Sequence, residues 1–178
     1  LYFANIFTGL LAPFFWNNLA EYQKQRILTF LNPDLDPMGS AYHIIQSVTA
    51  IGSGGFFGKG FGHGSQTQLK FLPVQESDFI LSVIAEEFGF VGIFLVMIIF
   101  FLFIKTLLDI AFQLSDYFSS LVIVGIASIL LSHIFINSAM TVGLLPVKGL
   151  PLPFISAGGS FLLSCFIMLS LVINLSEN

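Results

Sequence analysis

From residue 88 to residue 104 the chain reads FGFVGIFLVMIIFFLFI, without one charged or strongly hydrogen-bonding side chain. A run of this length approaches the ~20 apolar residues that carry a helix across a bilayer. In hydrocarbon every backbone polar group must find its partner within the protein, which leaves helices and closed barrels as the spanning structures. The run shows none of the polar alternation of a barrel strand, so it reads as a helix. Two more apolar stretches follow, at 118–142 and 152–175. Composition agrees: 56% of residues are hydrophobic, 22 are Phe and 9% are charged, against ~25% charged in soluble domains. The expected class is an all-α polytopic membrane protein.

Around these runs the chain divides as follows. Residues 1–20 form a first span, partial because the chain opens within an apolar segment. With no initiator Met and no signal-peptide n-region, it reads as a piece lacking its N-terminal part. Residues 21–78 contain no membrane-length run and form a large loop with short helices of its own. Within that loop, 21–31 suits an interfacial helix, 32–39 is a turn-rich breaker, and 41–51 suits a short helix before a glycine-rich stretch at 52–64. Spans at 79–108, 118–142 and 152–175 alternate with loops at 109–117 and 143–151 and a tail at 176–178. Alternating crossings put 21–78 and 143–151 on one side, extracytoplasmic, and Lys105 on the other, where basic residues favour the cytoplasm.

Net charge is −4 with no basic tract, which excludes nucleic acid as a partner. The one cysteine, Cys165, excludes a disulfide frame or cysteine metal site and reads as a small packing residue. The glycine-rich stretch GSGGFFGKGFGHG fails as a phosphate loop. Counting back from Gly58-Lys59, Ser53 stands where the first Gly is required and Gly60 where Ser or Thr is required. Its physical use is close approach of backbone to something bulky, or a loop pinned to the membrane by Phe56, Phe57 and Phe61.

Charge gathers at 66–89, which holds Lys70, Glu76, Asp78, Glu86 and Glu87. A carboxylate at a membrane boundary is costly and points to function; alternatively Glu76-Ser77-Asp78 caps the next helix. Glu86, eight residues on, returns to nearly the same helical side as Asp78, while Glu87 points ~100° away toward headgroups or a loop cation. Lys59, Lys70 and Lys148 could approach Asp78 and steady a pyrophosphate leaving group, or each could be an interface anchor. His133, Asn137 and Thr141 recur every four residues on one face of the second span, the pattern of interhelical hydrogen bonds more than of an ion path.

Two segments, AYHIIQSVTAIGSGGFFGKGFGHGSQTQLKFLPVQESDFILSVIAEEFGFVG and NSAMTVGLLPVKGLPLPFISAGGS, resemble the shape, elongation, division and sporulation (SEDS) family. The similarity covers roughly residue 22 to the C-terminus, with several motifs in the family's order. NPDLDPMGSAYHIIQS and GSQTQLKFLP lean to its elongation branch, that of RodA, whereas Lys148 in LPVKGLPLPFIS resembles the division branch. The resemblance implies the C-terminal part of a bundle of roughly ten helices with a large extracytoplasmic loop, multi-pass in the bacterial cytoplasmic membrane. It implies a glycosyltransferase that polymerises lipid II into peptidoglycan strands during cell elongation, shape maintenance or division. A divalent cation (Mg or Mn), no organic cofactor, and a class B penicillin-binding protein as transpeptidase partner are further implications.

The family's LP-x-x-x-x-D-F-I motif places its essential carboxylate on Asp78, as catalytic base or orienter of the acceptor hydroxyl, with a metal near it. Substrate contacts are expected from Lys59, Lys70, Glu86 and Lys148, and from Ser156, Gly158, Gly159 and Ser160 in the PLPFIS-x-GGS motif. The chain departs from the pattern at Glu76-Ser77, where His-Thr is expected, and at Ala157, where Tyr is usual. Two rival roles remain: a lipid II transporter, in which the His133–Asn137–Thr141 face lines a headgroup path, and a non-catalytic scaffold of the elongation complex.

Overall fold

The computed structural model describes residues 17–21, 23–24, 27–28, 40–64 and 78–177. Most of the first span at 1–20, the breaker at 32–39, and Lys70, Glu76 and Ser77 therefore lie outside the described residues. The chain forms two compact units, Leu1–Tyr42 and His43–Asn178. In the first, the Lys24 ammonium meets the Glu21 carboxylate at 3.0 Å one helical turn away, and the Ala20 amide donates to Gln23 Oε1 at 3.1 Å.

The second unit is built on α1 (Ser40–Gly54), whose first three residues fall in the first unit, α2 (Ile80–Gln113), α3 (Tyr117–Thr141) and α4 (Gly159–Glu177). No strand occurs among the described residues. Three of the helices, α2, α3 and α4, are long and apolar enough to cross a membrane. α1 runs three residues past the expected 41–51 segment at its C-terminal end and so takes in the first glycines of the rich stretch. α2 continues beyond Lys105 and Asp109 to Gln113, and α4 starts at Gly159, not 152. Pro151 and Pro153 keep the preceding residues out of the helix, since each lacks an amide proton and clashes with a preceding turn.

Leu114, Ser115 and Asp116 turn the chain from α2 into α3. Asp116 is the N-cap of α3, accepting from the amides of Phe118 and Ser119 and, at 2.6 Å, from the Ser119 hydroxyl. The resulting helical hairpin buries Phe100, Ile104, Leu107 and Ala111 against Ile123, Ile126, Ala127, Leu130 and Ile134. Leu152, Cys165 and Val172 join the same core, Cys165 as a buried packing residue. The outer faces stay apolar, with Phe94, Leu95, Phe101 and Leu102 exposed on α2. A helix apolar all round is that of a membrane span or a buried core.

α2 holds a break. At Gly89 the backbone leaves the helical region (φ 67°, ψ −160°). An unbroken helix would bond the amides of Phe90 and Val91 to the carbonyls of Glu86 and Glu87, four residues back. Instead Phe90 donates to Gly55 O at 3.0 Å and Val91 to Phe56 O at 3.2 Å. The freed carbonyls of Glu86 and Glu87 accept from the amides of Lys59 and Gly60 at 2.9 and 3.0 Å. The glycine-rich loop thus re-partners both amides and both carbonyls of these two lost bonds, which is how an interrupted membrane helix becomes tolerable. The fit demands glycine on both sides: a Cβ on Gly89 would fall on the Gly58 amide, and one on Gly58 on the Glu87 carbonyl. Of the 34 residues of α2, those after the break extend ~36 Å at 1.5 Å per residue, enough to span hydrocarbon.

Candidate functional site

The mouth of α2 is where three segments converge on the polar face of α3. Asp78 is half-buried and precedes Phe79, the N-cap residue of α2, which makes no side-chain cap bond. The cap position is therefore taken by an apolar residue, whose ring is buried and stacks on His43 with centroids 6.3 Å apart. From α3, Asn137 Nδ2 donates to the Asp78 carbonyl at 3.0 Å and to the Leu150 carbonyl at 2.7 Å. Gly149, with φ 67°, brings its backbone so near that an added Cβ would sit 3.4 Å from Asp78 Oδ2. The Asp78 carboxylate thus lies against the loop between α3 and α4, in which exposed Lys148 is the next residue.

The expected stripe on α3 is present, and it holds loops. His133 Nδ1 meets Pro151 O at 3.4 Å; a carbonyl only accepts, so this contact places the ring proton on Nδ1. The ring stacks on Phe161 with centroids 4.7 Å apart. Thr141 donates its hydroxyl to Ser138 O at 2.8 Å within its own helix. The Thr141 carbonyl accepts from Ser47 Oγ of α1 at 2.7 Å, and Ser47 in turn meets Ser82 Oγ of α2 at 2.6 Å. Since the Ser47 proton is spent on Thr141, Ser82 is the donor to Ser47. Three helices are tied by this relay just below Asp78.

Lys59 and Glu86 come together, and they do so with each other. Glu86 is 0% exposed; its Oε1 accepts from Lys59 Nζ at 2.8 Å and from Ser53 Oγ at 3.4 Å. Glu87, expected at headgroups or a cation, accepts instead from the Gly62 amide at 3.1 Å. Ser156 closes its own turn, accepting from the Leu152 amide at 2.8 Å while its amide donates back to Leu152 O. Gly158, Gly159 and Ser160 are exposed at the start of α4. Two features escaped the sequence reading. One is the break at Gly89, for which Glu86-Glu87-Phe88-Gly89 inside an apolar run was the available signal. The other is Phe154, a non-glycine residue at φ 63°, held by edge-to-face rings from Phe103 and Phe166 at 5.6 and 6.1 Å.

Chemically, the site offers one carboxylate at the end of a membrane helix, backed by the main chain of Gly149, which follows the exposed Lys148, and anchored from below. Among the described residues no group of three or more His, Cys, Asp or Glu side chains could hold a metal ion. A divalent ion here would have Asp78 as protein ligand and take its other oxygens from a substrate, the habit of Mg²⁺ with phosphates.

The family FTSW_RODA_SPOVE, described as cell cycle protein, matches residues 1–178. The chain is 45% identical over 161 residues to the peptidoglycan glycosyltransferase MrdB of Escherichia coli (strain K12), covering 90% of this chain and 44% of that protein. It is 41% identical over 158 residues to the peptidoglycan glycosyltransferase RodA of Treponema pallidum (strain Nichols), covering 89% and 36%. To the stage V sporulation protein E of Bacillus subtilis (strain 168) it is 40% identical over 158 residues, covering 89% and 43%. The chain thus spans less than half the length of these curated relatives. Among solved structures it resembles a chain described under "Structural coordination of polymerization and crosslinking by a peptidoglycan synthase complex". That likeness has a TM-score of 0.73 at 31% identity and covers 99% of this chain and 48% of the other.

Proposed function

This chain belongs to the FtsW/RodA/SpoVE family of cell cycle proteins, and we propose that its parent protein is a peptidoglycan glycosyltransferase of the bacterial cytoplasmic membrane. Its substrate is lipid II, the undecaprenyl-pyrophosphate-linked disaccharide pentapeptide, and its product is the glycan strand laid down in elongation or division. The observation that carries this reading is the placing of Asp78: a half-buried carboxylate at the end of a membrane helix, against the backbone of Gly149, the residue after Lys148.

In this mechanism the acceptor sugar hydroxyl attacks the anomeric carbon of the donor. The glycosidic C–O bond forms as the bond to pyrophosphate breaks, the hydroxyl proton passes to an Asp78 oxygen, and undecaprenyl pyrophosphate leaves. General-base catalysis of this kind contributes ~10²–10⁴-fold, and holding the two lipids in attacking geometry supplies much of the rest. Lys148 steadies the departing pyrophosphate charge. Asp78 would hold a divalent cation, which would supply further charge neutralisation for the leaving group. The lysine at 59 and the carboxylate at 86, engaged with each other, act on the loop and not on the lipid. A class B penicillin-binding protein cross-links the product, in keeping with the polymerization and crosslinking named for the structural relative.

A transporter and a polymerase are separated by incubating the purified full-length parent with lipid II in detergent micelles, where there are no compartments to cross. Glycan polymer on a gel supports the proposal. Absence of polymer, with lipid II translocation by the same protein in vesicles, overturns it.

A further inference from the structure

We infer that Asn137 is a positioning residue for the Asp78 carboxylate, acting as a clamp between the two loops that meet there; this rests on Asp78 being the base. Asn137 is 0% exposed and sits on the inner face of α3. Its Nδ2 carries two protons, and each is spent on a different loop: one on the Asp78 carbonyl at 3.0 Å, the other on the Leu150 carbonyl at 2.7 Å. Both partners are carbonyl oxygens, which only accept. The amide orientation is therefore forced, since the flipped side chain would set its own oxygen against two others. No hydroxyl could replace it, having a single proton to give.

The clamp acts at the one place where it bears on the carboxylate. Asp78 is fixed through its own carbonyl, and Leu150 follows Gly149, the residue whose backbone backs Asp78 Oδ2. Releasing Asn137 lets the carboxylate and its backing loop move apart, although neither the charge nor Lys148 has been touched. Asn137 Oδ1 is buried and finds no hydrogen-bond partner among the described residues. A second anchor on the same loop, His133 to Pro151 O, lies one turn earlier on α3 and keeps the loop attached when Asn137 is changed.

The test uses the full-length parent with lipid II and its transpeptidase partner, comparing wild type, Asn137→Asp, Asn137→Ala and Asp78→Asn. Rates are referred to monodisperse protein recovered from gel filtration, so that a variant of poor yield is still scored per folded molecule. Asn137→Asp keeps the shape but loses at least one donor and brings in an acid, whereas Asn137→Ala loses both donors and adds no charge. The expected result is a fall in kcat of about 10- to 100-fold for both Asn137 variants, the scale of an ångström-size misplacement, with KM for lipid II within about threefold of wild type. Wild-type kcat in folded Asn137→Asp and Asn137→Ala, with Asp78→Asn inactive, overturns the clamp and leaves the base assignment standing. A rise in KM with kcat unchanged also overturns it, by making Asn137 a binding residue. Full activity of Asp78→Asn defeats the base assignment itself, and the inference with it.

Discussion

Lys59 Nζ stands 2.8 Å from Glu86 Oε1, linking the glycine-rich loop to the first segment of α2 across a carboxylate with no solvent exposure. The same two residues are joined a second time, by the Lys59 amide on the Glu86 carbonyl at 2.9 Å. Side chain and main chain therefore act together to fasten the loop into the break at Gly89. The segment so fastened is the one that begins with the residues following Asp78, which makes the rigidity of the loop a condition for the placing of the carboxylate.

Removing one member of this pair leaves a buried charge with less compensation. Lys59→Met should cost the parent about 3 kcal/mol of stability, the scale for breaking a buried ion pair from one side. Lys59→Met combined with Glu86→Gln should recover much of that loss. Thermal unfolding in detergent measures both; additive losses would mean the two side chains do not depend on each other.

The interlocked glycines give a sharper contrast. Gly89→Ala must place a Cβ on the Gly58 amide at a φ of 67°, and strain of that backbone alone is on the order of 1–3 kcal/mol. Gly125→Ala on α3 meets nothing within 4 Å and should be neutral or gain up to about 1 kcal/mol from helix propensity. Stability of the two variants side by side decides the matter. Equal tolerance of both would contradict the interlock.

The three spans were legible because lipid leaves an apolar run of that length few alternatives, and the position of Asp78 at the head of one was legible from the charge boundary. What was not legible is which polar groups meet. Glu86 follows Asp78 by two helical turns and reads as its neighbour on an ideal helix, but it is taken by Lys59, a residue 27 positions earlier. The glycine-rich loop fixes that outcome by bonding into a helix break, and a break in hydrogen bonding has no periodicity to read. Likewise α4 begins at Gly159 because Pro151, Pro153 and the left-handed Phe154 hold the preceding turn out of the helix, whereas hydropathy alone extends the span to 152. The stripe on α3 was visible as spacing; that it would grip the carbonyls of 78, 150 and 151 depends on loop paths that spacing does not contain.

Asp116 offers a pH test remote from the site. The Ser119 hydroxyl, then the Ser119 amide, hold its carboxyl below the ordinary carboxylate range. A carboxyl whose pKa is lowered by folding stabilises the cap above its unfolded pKa, and that contribution is lost as pH falls through the folded value. Ser119→Ala should move the Asp116 titration upward toward its ordinary position, read from its side-chain carbonyl NMR shift. An unmoved titration would contradict the hydroxyl as the leading cause.

Divalent-cation removal bears on the leaving group. Chelation of the purified parent should abolish polymer formation, and Mg²⁺ or Mn²⁺ should restore it without changing the unfolding midpoint of the lipid-free protein, because the proposed ion is held jointly with substrate. A large loss of midpoint on chelation would instead indicate a structural ion.

Catalysis by the Asp78 carboxylate is read from glycan polymerisation of lipid II by the full-length parent with its transpeptidase partner and a divalent cation, comparing wild type with Asp78→Asn. Asparagine keeps the size and the backbone bond to Asn137 and removes the charge. The expected result is loss of polymer by at least about 100-fold, with unfolding midpoint and lipid II binding preserved. Polymer made at the wild-type rate by Asp78→Asn would contradict it and leave the carboxylate as a local structural group.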